Sequence, residues 1–497
     1  MLSASITLMA REPKSSISPF LHGHFAEHLG ELVYPGLWVG PDSQIPNLRG
    51  LRAGVVDALR ELAPPVLRWP GGCFADAYHW RDGVGPREGR PSRVTSRWGA
   101  DEIETNAFGT HEFMDLCREI GAEPWLAANV GSGSPREMAH WVEYCNFPGG
   151  TTLSDARGKN GDAKPFDVKF WGIGNENWDC GGKFSAADYA REYRRFESNF
   201  PRYQHQDPLL IGCGPDGNNR AEAARWTREF LEELENARRP RLDGWDAHFY
   251  TWNTGKNFGT ATDFSLDEYY GLLQESLKIG DVIDQQRAIL DASPIGREAQ
   301  LIMGEWGIWH APEGDDVPLL YQSNTLRDAI SAAMTLDLFH EKSDKLAVAT
   351  LAQTVNVLQS LLQTRGDQTI VTPTYHVFSL YRDHRSGQLV PSNWESGEAG
   401  GLPRLSGSAS IKKGVVTLTI VNTGARSPVE ATVALPSLTI ERASARQMSA
   451  PALSACNTFE DPETLQPQTV KVEAQGESLS IALPPASITA ISIKLAE

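Results

Sequence analysis

The 497-residue sequence lacks several features that would each point to a particular class of protein. No stretch approaches about 18 uninterrupted apolar residues, so no membrane-spanning helix is predicted. The net charge is −17, which argues against nucleic acid or an anionic membrane as the main partner. The N-terminus has no basic segment followed by a long apolar one, so we predict no signal peptide and expect a cytoplasmic protein.

Cysteine is scarce and scattered along the chain. The six cysteines form no CxxC pair, and they are Cys73, Cys117, Cys145, Cys180, Cys213 and Cys456. Such a dispersed set predicts reduced thiols in a cytoplasmic protein rather than a disulfide framework.

Short apolar runs alternate with helix-like segments through the first 384 residues. The helix-like segments include 109–121 and 185–196, with apolar residues at helical spacing. Eight candidate strands lie around residues 19–26, 65–69, 124–129, 167–173, 208–213, 244–249, 300–304 and 346–352. This α/β pattern predicts a (β/α)8 TIM barrel over residues 18–384. No Gly-rich phosphate fingerprint follows the first strand, which argues against a Rossmann fold.

The pattern changes after about residue 385. Segments such as 414–422 and 428–435 alternate apolar and polar residues between turn signals. This alternation predicts an antiparallel, jelly-roll-like β-sandwich over residues 385–497. Residues 3–9 have the same character, so we expect residues 1–17 to contribute a strand to that domain.

Two glutamates directly follow apolar runs that are typical of buried strands. Glu176 lies in the segment WGIGNEN and Glu305 in LIMGEW. A charged side chain at the end of a buried strand is costly unless it has a function, and barrel enzymes place catalytic groups there. By strand count the two residues follow strands four and seven, on opposite sides of the barrel mouth. The sequence therefore predicts a paired-carboxylate active site, as in glycosidases.

Other strand ends carry polar groups as well. Glu27 ends strand one, His248 and Tyr250 lie on one side of strand six, and Gln353 follows strand eight. Strand two ends in Arg68, followed by Pro70-Gly71-Gly72-Cys73, a tight turn that allows close approach of the backbone to a ligand. Arg68 there is suited to fix a carboxylate or a hydroxyl.

Two alternatives belong to other classes. His22 and His24 on strand one, with His248 on strand six, resemble part of a metal site, so a metal-dependent amidohydrolase is the rival enzyme. Strands five and eight do not end in the further His and Asp that such a site needs, and we predict no metal and no cofactor. A non-catalytic carbohydrate-binding protein with a decayed barrel is the second alternative.

Several ordered motifs resemble those of glycoside hydrolase family 51, the α-L-arabinofuranosidases of clan A. The motifs are FAEHLG at 25–30, LRWPGGCF at 67–74, WRDGVGP at 80–86, GIGNEN at 172–177, EW at 305–306, TPTYHVF at 372–378 and NTF at 457–459. They extend over nearly the whole chain. The resemblance implies a barrel followed by a β-sandwich, no metal requirement, and a homo-oligomer.

The resemblance also implies roles for individual residues. Glu176 would be the general acid/base and Glu305 the nucleophile of a retaining, exo-acting enzyme. Substrate-binding residues would be Glu27, Arg68, Cys73, Asn175, His248, Tyr250, Trp309 and Gln353. The partners would be arabinose-containing oligosaccharides derived from arabinan or arabinoxylan. The segment 177–182 (NWDCGG) departs from the form common in the family, so a related activity on β-xylosides or β-glucans stays open.

Overall fold

Eight strands close into a barrel in the computed structural model, which describes residues 2–95, 101–204, 206–255, 258–314 and 317–496. The barrel strands are β1 (Gly23–Phe25), β2 (Val66–Trp69), β3 (Glu123–Ala128), β4 (Phe170–Ile173), β5 (Leu209–Asp216), β6 (Gly244–Trp252), β7 (Gln300–Trp309) and β8 (Leu346–Leu351). Neighbouring strands from β1 to β6 run parallel. The predicted barrel is confirmed.

Helices connect the barrel strands, as the alternating sequence pattern predicts. They are α1 (Ala53–Leu62), α2 (Thr110–Ile120), α3 (Pro135–Asn146), α4 (Thr152–Lys159), α5 (Ala186–Asn199), α6 (Arg220–Glu235), α7 (Leu266–Leu277), α8 (Ile279–Ala292) and α9 (Leu326–Glu341). Helix α10 (Pro373–Tyr381) follows the last barrel strand. Helix α2 ends at Gly121, whose φ of 74° is the left-handed conformation that glycine adopts easily. Helix α5 begins after Ser185, whose side chain accepts a hydrogen bond from the Asp188 N–H.

Two barrel strands are shorter than the sequence predicts. Residues Pro19–His22 form a 3₁₀ turn, so only Gly23–Phe25 pairs in β1. Proline has no N–H to donate to a strand ladder, which disfavours an earlier start. Strand β4 begins at Phe170 rather than 167, because Asp167 has a φ of 56°, in the left-handed region.

The C-terminal strands form two sheets. The five-stranded sheet has the order Ser392–Glu395, Leu2–Leu8, Val429–Ala434, Ser478–Leu483, Glu473–Gln475. The six-stranded sheet has the order Gln388–Leu389, Leu405–Lys412, Val415–Asn422, Ser487–Leu495, Ile440–Met448, Gln468–Val470. Alternate apolar residues form one core, to which Ile6, Leu8, Val433 and Ile493 contribute. The Leu2–Leu8 strand pairs in parallel with Val429–Ala434, so the sandwich is not entirely antiparallel.

The chain forms two compact units. One comprises Met1–His22, Tyr250–Ile283 and Trp306–Glu497, and it contains both sandwich sheets. The other comprises Gly23–Phe249 and Asp284–Glu305, and it contains β1 to β5 with the first parts of β6 and β7. The boundaries 18–384 and 385–497 stay a prediction. Within the described residues, no helix combines the length and the apolarity needed to cross a bilayer.

Candidate active site

Glu176 lies just beyond β4 on a turn with an unusual backbone. Its φ is 41°, in the left-handed region, which costs of order 1–3 kcal/mol for a residue with a side chain. Gly174, two residues earlier, has a φ of 82°, and a Cβ there would lie 2.1 Å from Oδ1 of Asn177. Glycine at 174 is therefore required for the turn that carries Glu176.

Glu305 lies within β7 and is held by Arg68 of β2. Nη1 of Arg68 donates to Oε1 of Glu305 at 2.8 Å, while Nη2 donates to Oδ1 of Asn175 at 2.6 Å. The guanidinium also lies over the Phe25 and Trp125 rings, 4.6 and 5.2 Å from their centroids. Arg68 is 1% exposed and Glu305 5%, so this ion pair is screened little by water.

His248 of β6 connects the two glutamates. Its Nδ1 lies 2.9 Å from Oε1 of Glu176 and 3.6 Å from Oε1 of Glu305. One carboxylate oxygen of Glu176, one carboxylate oxygen of Glu305 and one ring nitrogen of His248 all lie within 4.8 Å of one another. The two carboxyls predicted from the strand ends therefore converge.

Burial and neighbouring charges shift the ionisation of this group. Burial of the Glu176 carboxyl raises its pKa, the Glu305 charge raises it further, and the hydrogen bond to His248 opposes both. Burial by itself would lower the pKa of His248, but the charges of Glu305 and Asp246 raise it to about 10. His248 is therefore an imidazolium at neutral pH, and both ring nitrogens carry protons.

Glu27 lies against the glycine turn that follows β2. Its Oε1 accepts a hydrogen bond from the Phe74 N–H at 3.0 Å. A Cβ at Gly72 would lie 2.5 Å from each carboxylate oxygen of Glu27, so only glycine allows this approach. A cavity of about 470 Å³ opens beside Glu27 and Phe74.

Cys73 forms a disulfide with Cys180, so the prediction of six reduced thiols is wrong for this pair. The bond joins the turn after β2 to the segment after Glu176. Both sulfurs face Oε2 of Glu176, at 3.9 Å for Cys73 and 3.6 Å for Cys180. Disulfide sulfurs carry no hydrogen, so they cannot donate to this carboxylate. Cys117, Cys145, Cys213 and Cys456 are free thiols, as predicted.

Tyr250, Trp309 and Gln353 belong to the other compact unit. The Tyr250 and Trp309 rings meet edge to face with centroids 5.5 Å apart, and Trp252 packs on Trp309 at 5.1 Å. Gln353, just after β8, is 1% exposed. Their position beside the substrate stays a prediction.

Two buried aspartates near the carboxylates are not among the residues predicted from the sequence. Asp76 accepts hydrogen bonds through Oδ1 from the Val130 and Gly131 N–H groups, both at 2.7 Å, and through Oδ2 from the Asn175 N–H at 2.9 Å. Asp76 thus joins three loops, and no local sequence pattern predicts it.

Asp246 precedes His248 by two residues on β6, and strand alternation puts both on one face. That alternation was sufficient to find it.

The alternative metal site on His22, His24 and His248 is not supported. Nε2 of His22 instead lies 2.9 Å from Nε2 of His340. Among the described residues, the clusters with ligand atoms close enough for a metal are Cys73 with Glu176 and Cys180, and Glu176 with His248 and Glu305. The first contains a disulfide, and neither includes His22 or His24.

A closed parallel barrel with carboxylates from β4 and β7 converging on one histidine has the fold and site of a glycoside hydrolase. The profile of the "Alpha-L-arabinofuranosidase 1 domain" matches residues 58–269, and that of the "Alpha-L-arabinofuranosidase C-terminal domain" matches residues 304–487. The chain belongs to the α-L-arabinofuranosidases of glycoside hydrolase family 51.

Individual relatives match along nearly their whole length. The intracellular exo-α-L-arabinofuranosidase of Bacteroides ovatus is 38% identical, over 99% of this chain and 96% of the relative. The crystal structure of the GH51 arabinofuranosidase from Xanthomonas axonopodis pv. citri is 36% identical, with a TM-score of 0.93 over 99% of this chain and 100% of the other. The thermostable GH51 α-L-arabinofuranosidase from Thermotoga petrophila RKU-1 is 29% identical, with a TM-score of 0.87 over the same shares.

Proposed function

We propose that this protein is a retaining, exo-acting α-L-arabinofuranosidase that works by double displacement. The supporting observation is the short distance between the carboxylates of Glu176 and Glu305, with one oxygen of each within 4.8 Å. Retaining glycosidases hold their carboxyl groups about 5–5.5 Å apart, whereas inverting ones leave about 6.5–9.5 Å for a water molecule. The geometry favours retention.

In the first step the ionised Glu305 attacks the anomeric carbon. A carbon–oxygen bond to Glu305 forms as the bond to the leaving group breaks, and Glu176 gives its proton to the departing oxygen. Oε1 of Glu176 accepts from His248, so the proton that is transferred lies on Oε2. In the second step Glu176, now a carboxylate, takes a proton from water, which attacks the same carbon and releases arabinose and Glu305.

The remaining predicted residues have binding roles in this proposal. Arg68 fixes both the nucleophile and Asn175, and the Asn175 amide nitrogen is then directed to the sugar 2-hydroxyl. Further groups of the arabinofuranose subsite are Glu27, Cys73, Tyr250, Trp309 and Gln353.

The substrates in this proposal are oligosaccharides from arabinan or arabinoxylan with terminal arabinofuranose. We place the enzyme in the cytoplasm, with support from the relative that is named intracellular. We also propose that it is a homo-oligomer. A panel of 4-nitrophenyl arabinofuranoside, xyloside and glucoside tests the sugar preference. Light scattering of the purified protein tests the oligomer, and a monomeric mass would contradict it.

The proposed domains are a barrel of residues 18–384 and a sandwich of 385–497 that includes the strand of residues 1–17. Ile6 and Leu8 of that strand are fully buried among sandwich residues. Removal of residues 1–17 should therefore make the sandwich sensitive to limited proteolysis. An unchanged digestion pattern would contradict this organisation.

The catalytic roles are tested with two alanine variants. Glu305→Ala should abolish turnover of all arabinofuranosides. Glu176→Ala should retain activity on 4-nitrophenyl arabinofuranoside, whose leaving group departs without protonation, and lose activity on arabino-oligosaccharides. Glu430→Ala, at an exposed glutamate of the sandwich, is the control. Inverted product stereochemistry by NMR, or equal and complete loss in both variants, would overturn the assignment.

A further inference from the structure

A further carboxylate, Asp246, contacts the neighbours of the two glutamates and has no role in the steps above. It belongs to β6 and is 6% exposed. Oδ1 accepts a hydrogen bond from the Gly304 N–H at 2.6 Å. Oδ2 lies 3.4 Å from Nε2 of His248 and 3.9 Å from Nη2 of Arg68. Asp246 therefore contacts the residue before the nucleophile and both cations of the site.

The contact with Gly304 leaves no room for another residue. A Cβ at position 304 would lie 2.1 Å from Oδ1 and 2.3 Å from Oδ2 of Asp246. The need for glycine at position 304 thus comes from the close approach of the Asp246 carboxylate and not from a turn. The short hydrogen bond fixes β7 relative to β6 at the residue next to the nucleophile.

The contact with His248 keeps its ring charged through both steps. Charged groups around this ring are Glu176 beyond β4, Asp216 on β5, Glu305 on β7 and Asp246 on β6 itself. In the proposed reaction the negative charge moves from Glu305 to Glu176 when the glycosyl bond forms. Asp246 takes no part in that transfer, so its charge faces Nε2 throughout.

We propose that Asp246 is a positioning residue of the reaction, which holds the Nδ1–H of His248 toward Glu176 and anchors Glu305 through Gly304. The inference rests on the proposed function. In this proposal Asp246 does not contact the substrate.

The test is Asp246→Asn, which keeps an acceptor for the Gly304 N–H and removes the charge. We expect kcat on phenyl arabinofuranoside to fall about 100-fold, since this poor leaving group needs the proton of Glu176. On 4-nitrophenyl arabinofuranoside kcat should fall less than about 10-fold, with KM changed little in both cases. A purely structural defect lowers both rates equally, and that result would overturn the proposal.

Histidine NMR gives a second readout. The His248 signal is assigned by its loss in His248→Gln. In the wild type this signal should remain that of a charged imidazolium above pH 8. In Asp246→Asn it should titrate at lower pH, because the anion that favours the charged ring is gone. Titration of wild-type His248 near 6.5 would overturn the proposal even if the variant failed to fold.

The control is Asp337→Asn on α9. Asp337 is also a buried carboxylate, and it accepts hydrogen bonds from Tyr381, Ser408 and Thr419. This variant should alter Tm and leave the ratio of phenyl to nitrophenyl rates unchanged. Failure of the wild type to release arabinose would refute the proposed function. If the wild type is active and Asp246→Asn has the same kcat on both substrates as the wild type, only the positioning role is refuted.

Discussion

Arg68 donates from Nη1 to Oε1 of Glu305 at 2.8 Å, and the two side chains are almost completely buried. The other arm of the same guanidinium reaches Asn175 at 2.6 Å. One planar group thus fixes the proposed nucleophile and the amide proposed to bind the substrate, which a lysine ammonium cannot reproduce.

Arg68→Lys should therefore lower kcat/KM strongly. We expect a loss of about 10²- to 10³-fold, the range seen when one preorganised donor is removed from an active site. Arg191→Lys, at an exposed arginine paired with Glu233, is the matched control and should behave as the wild type. Steady-state kinetics with Tm for each variant make the comparison. A kcat/KM for Arg68→Lys within about threefold of the wild type would contradict the role.

Glu176 should destabilise the fold at alkaline pH. Its pKa is raised by burial and by Glu305, so the folded state favours the neutral acid. The stabilising contribution of such a group is complete below its ordinary pKa of 4.5 and is lost as pH rises through the raised value. Glu176→Gln should thus be more stable than the wild type at pH 8 and equal to it near pH 4.

Urea unfolding at both pH values measures this difference. Glu430→Gln on the exposed sandwich surface should show no difference at either pH. A Glu176→Gln variant that gains nothing at pH 8 would mean that the carboxyl ionises there without cost.

How far the sequence predicts this site depends on whether the signal is local. Glu176 and Glu305 were predictable because each directly follows an apolar run of the sequence that is typical of a buried strand, and parallel strands of a barrel carry their catalytic groups toward one face. Asp246 lies two residues before His248 on the same strand, so strand alternation also predicts that its side chain points to the same side. Asp76 was not predictable, because its three amide partners lie in loops that only the folded barrel brings together.

The same distinction holds for the fold. The alternation of residues 414–422 directly predicts one sandwich strand, observed as Val415–Asn422. The strand Leu2–Leu8 pairs in parallel with Val429–Ala434, more than 400 residues along the chain. This pairing depends on tertiary packing, so no local sequence pattern predicts it.

Gly72→Ala should displace Glu27. The new Cβ would lie 2.5 Å from both carboxylate oxygens, closer than any ordinary contact, so the carboxylate must move. Because Glu27 is proposed to bind the sugar, we expect kcat/KM to fall about 10-fold or more, the order of one or more lost hydrogen bonds. Gly89→Ala, where a Cβ meets nothing within 4 Å, is the control. Identical kinetics for the two variants would show that Glu27 tolerates the shift.

The Cys73–Cys180 disulfide should affect both the stability of the protein and the pKa of Glu176, the proposed acid/base. It closes a separation of 107 residues, for which chain entropy gives about 4–5 kcal/mol of stabilisation. Reduction by a dithiol also creates two S–H groups beside Oε2 of Glu176. These can donate hydrogen bonds to the carboxylate, so the pKa of Glu176 should fall and the alkaline limb of kcat/KM should move to lower pH.

Thiol titration of the denatured protein tests the bond itself. Without reductant we expect four reactive thiols, and after reduction all six. Reduction should lower Tm in the wild type and leave Tm unchanged in Cys73→Ser/Cys180→Ser, while Cys456→Ser, at a free cysteine, should respond as the wild type. Disulfides are rare in the cytoplasm, which is the proposed location, so protein purified anaerobically from cells shows which form is present there. Six thiols in that sample, together with an alkaline limb at lower pH than in the oxidised enzyme, would mean that the reduced form is the one at work in the cell.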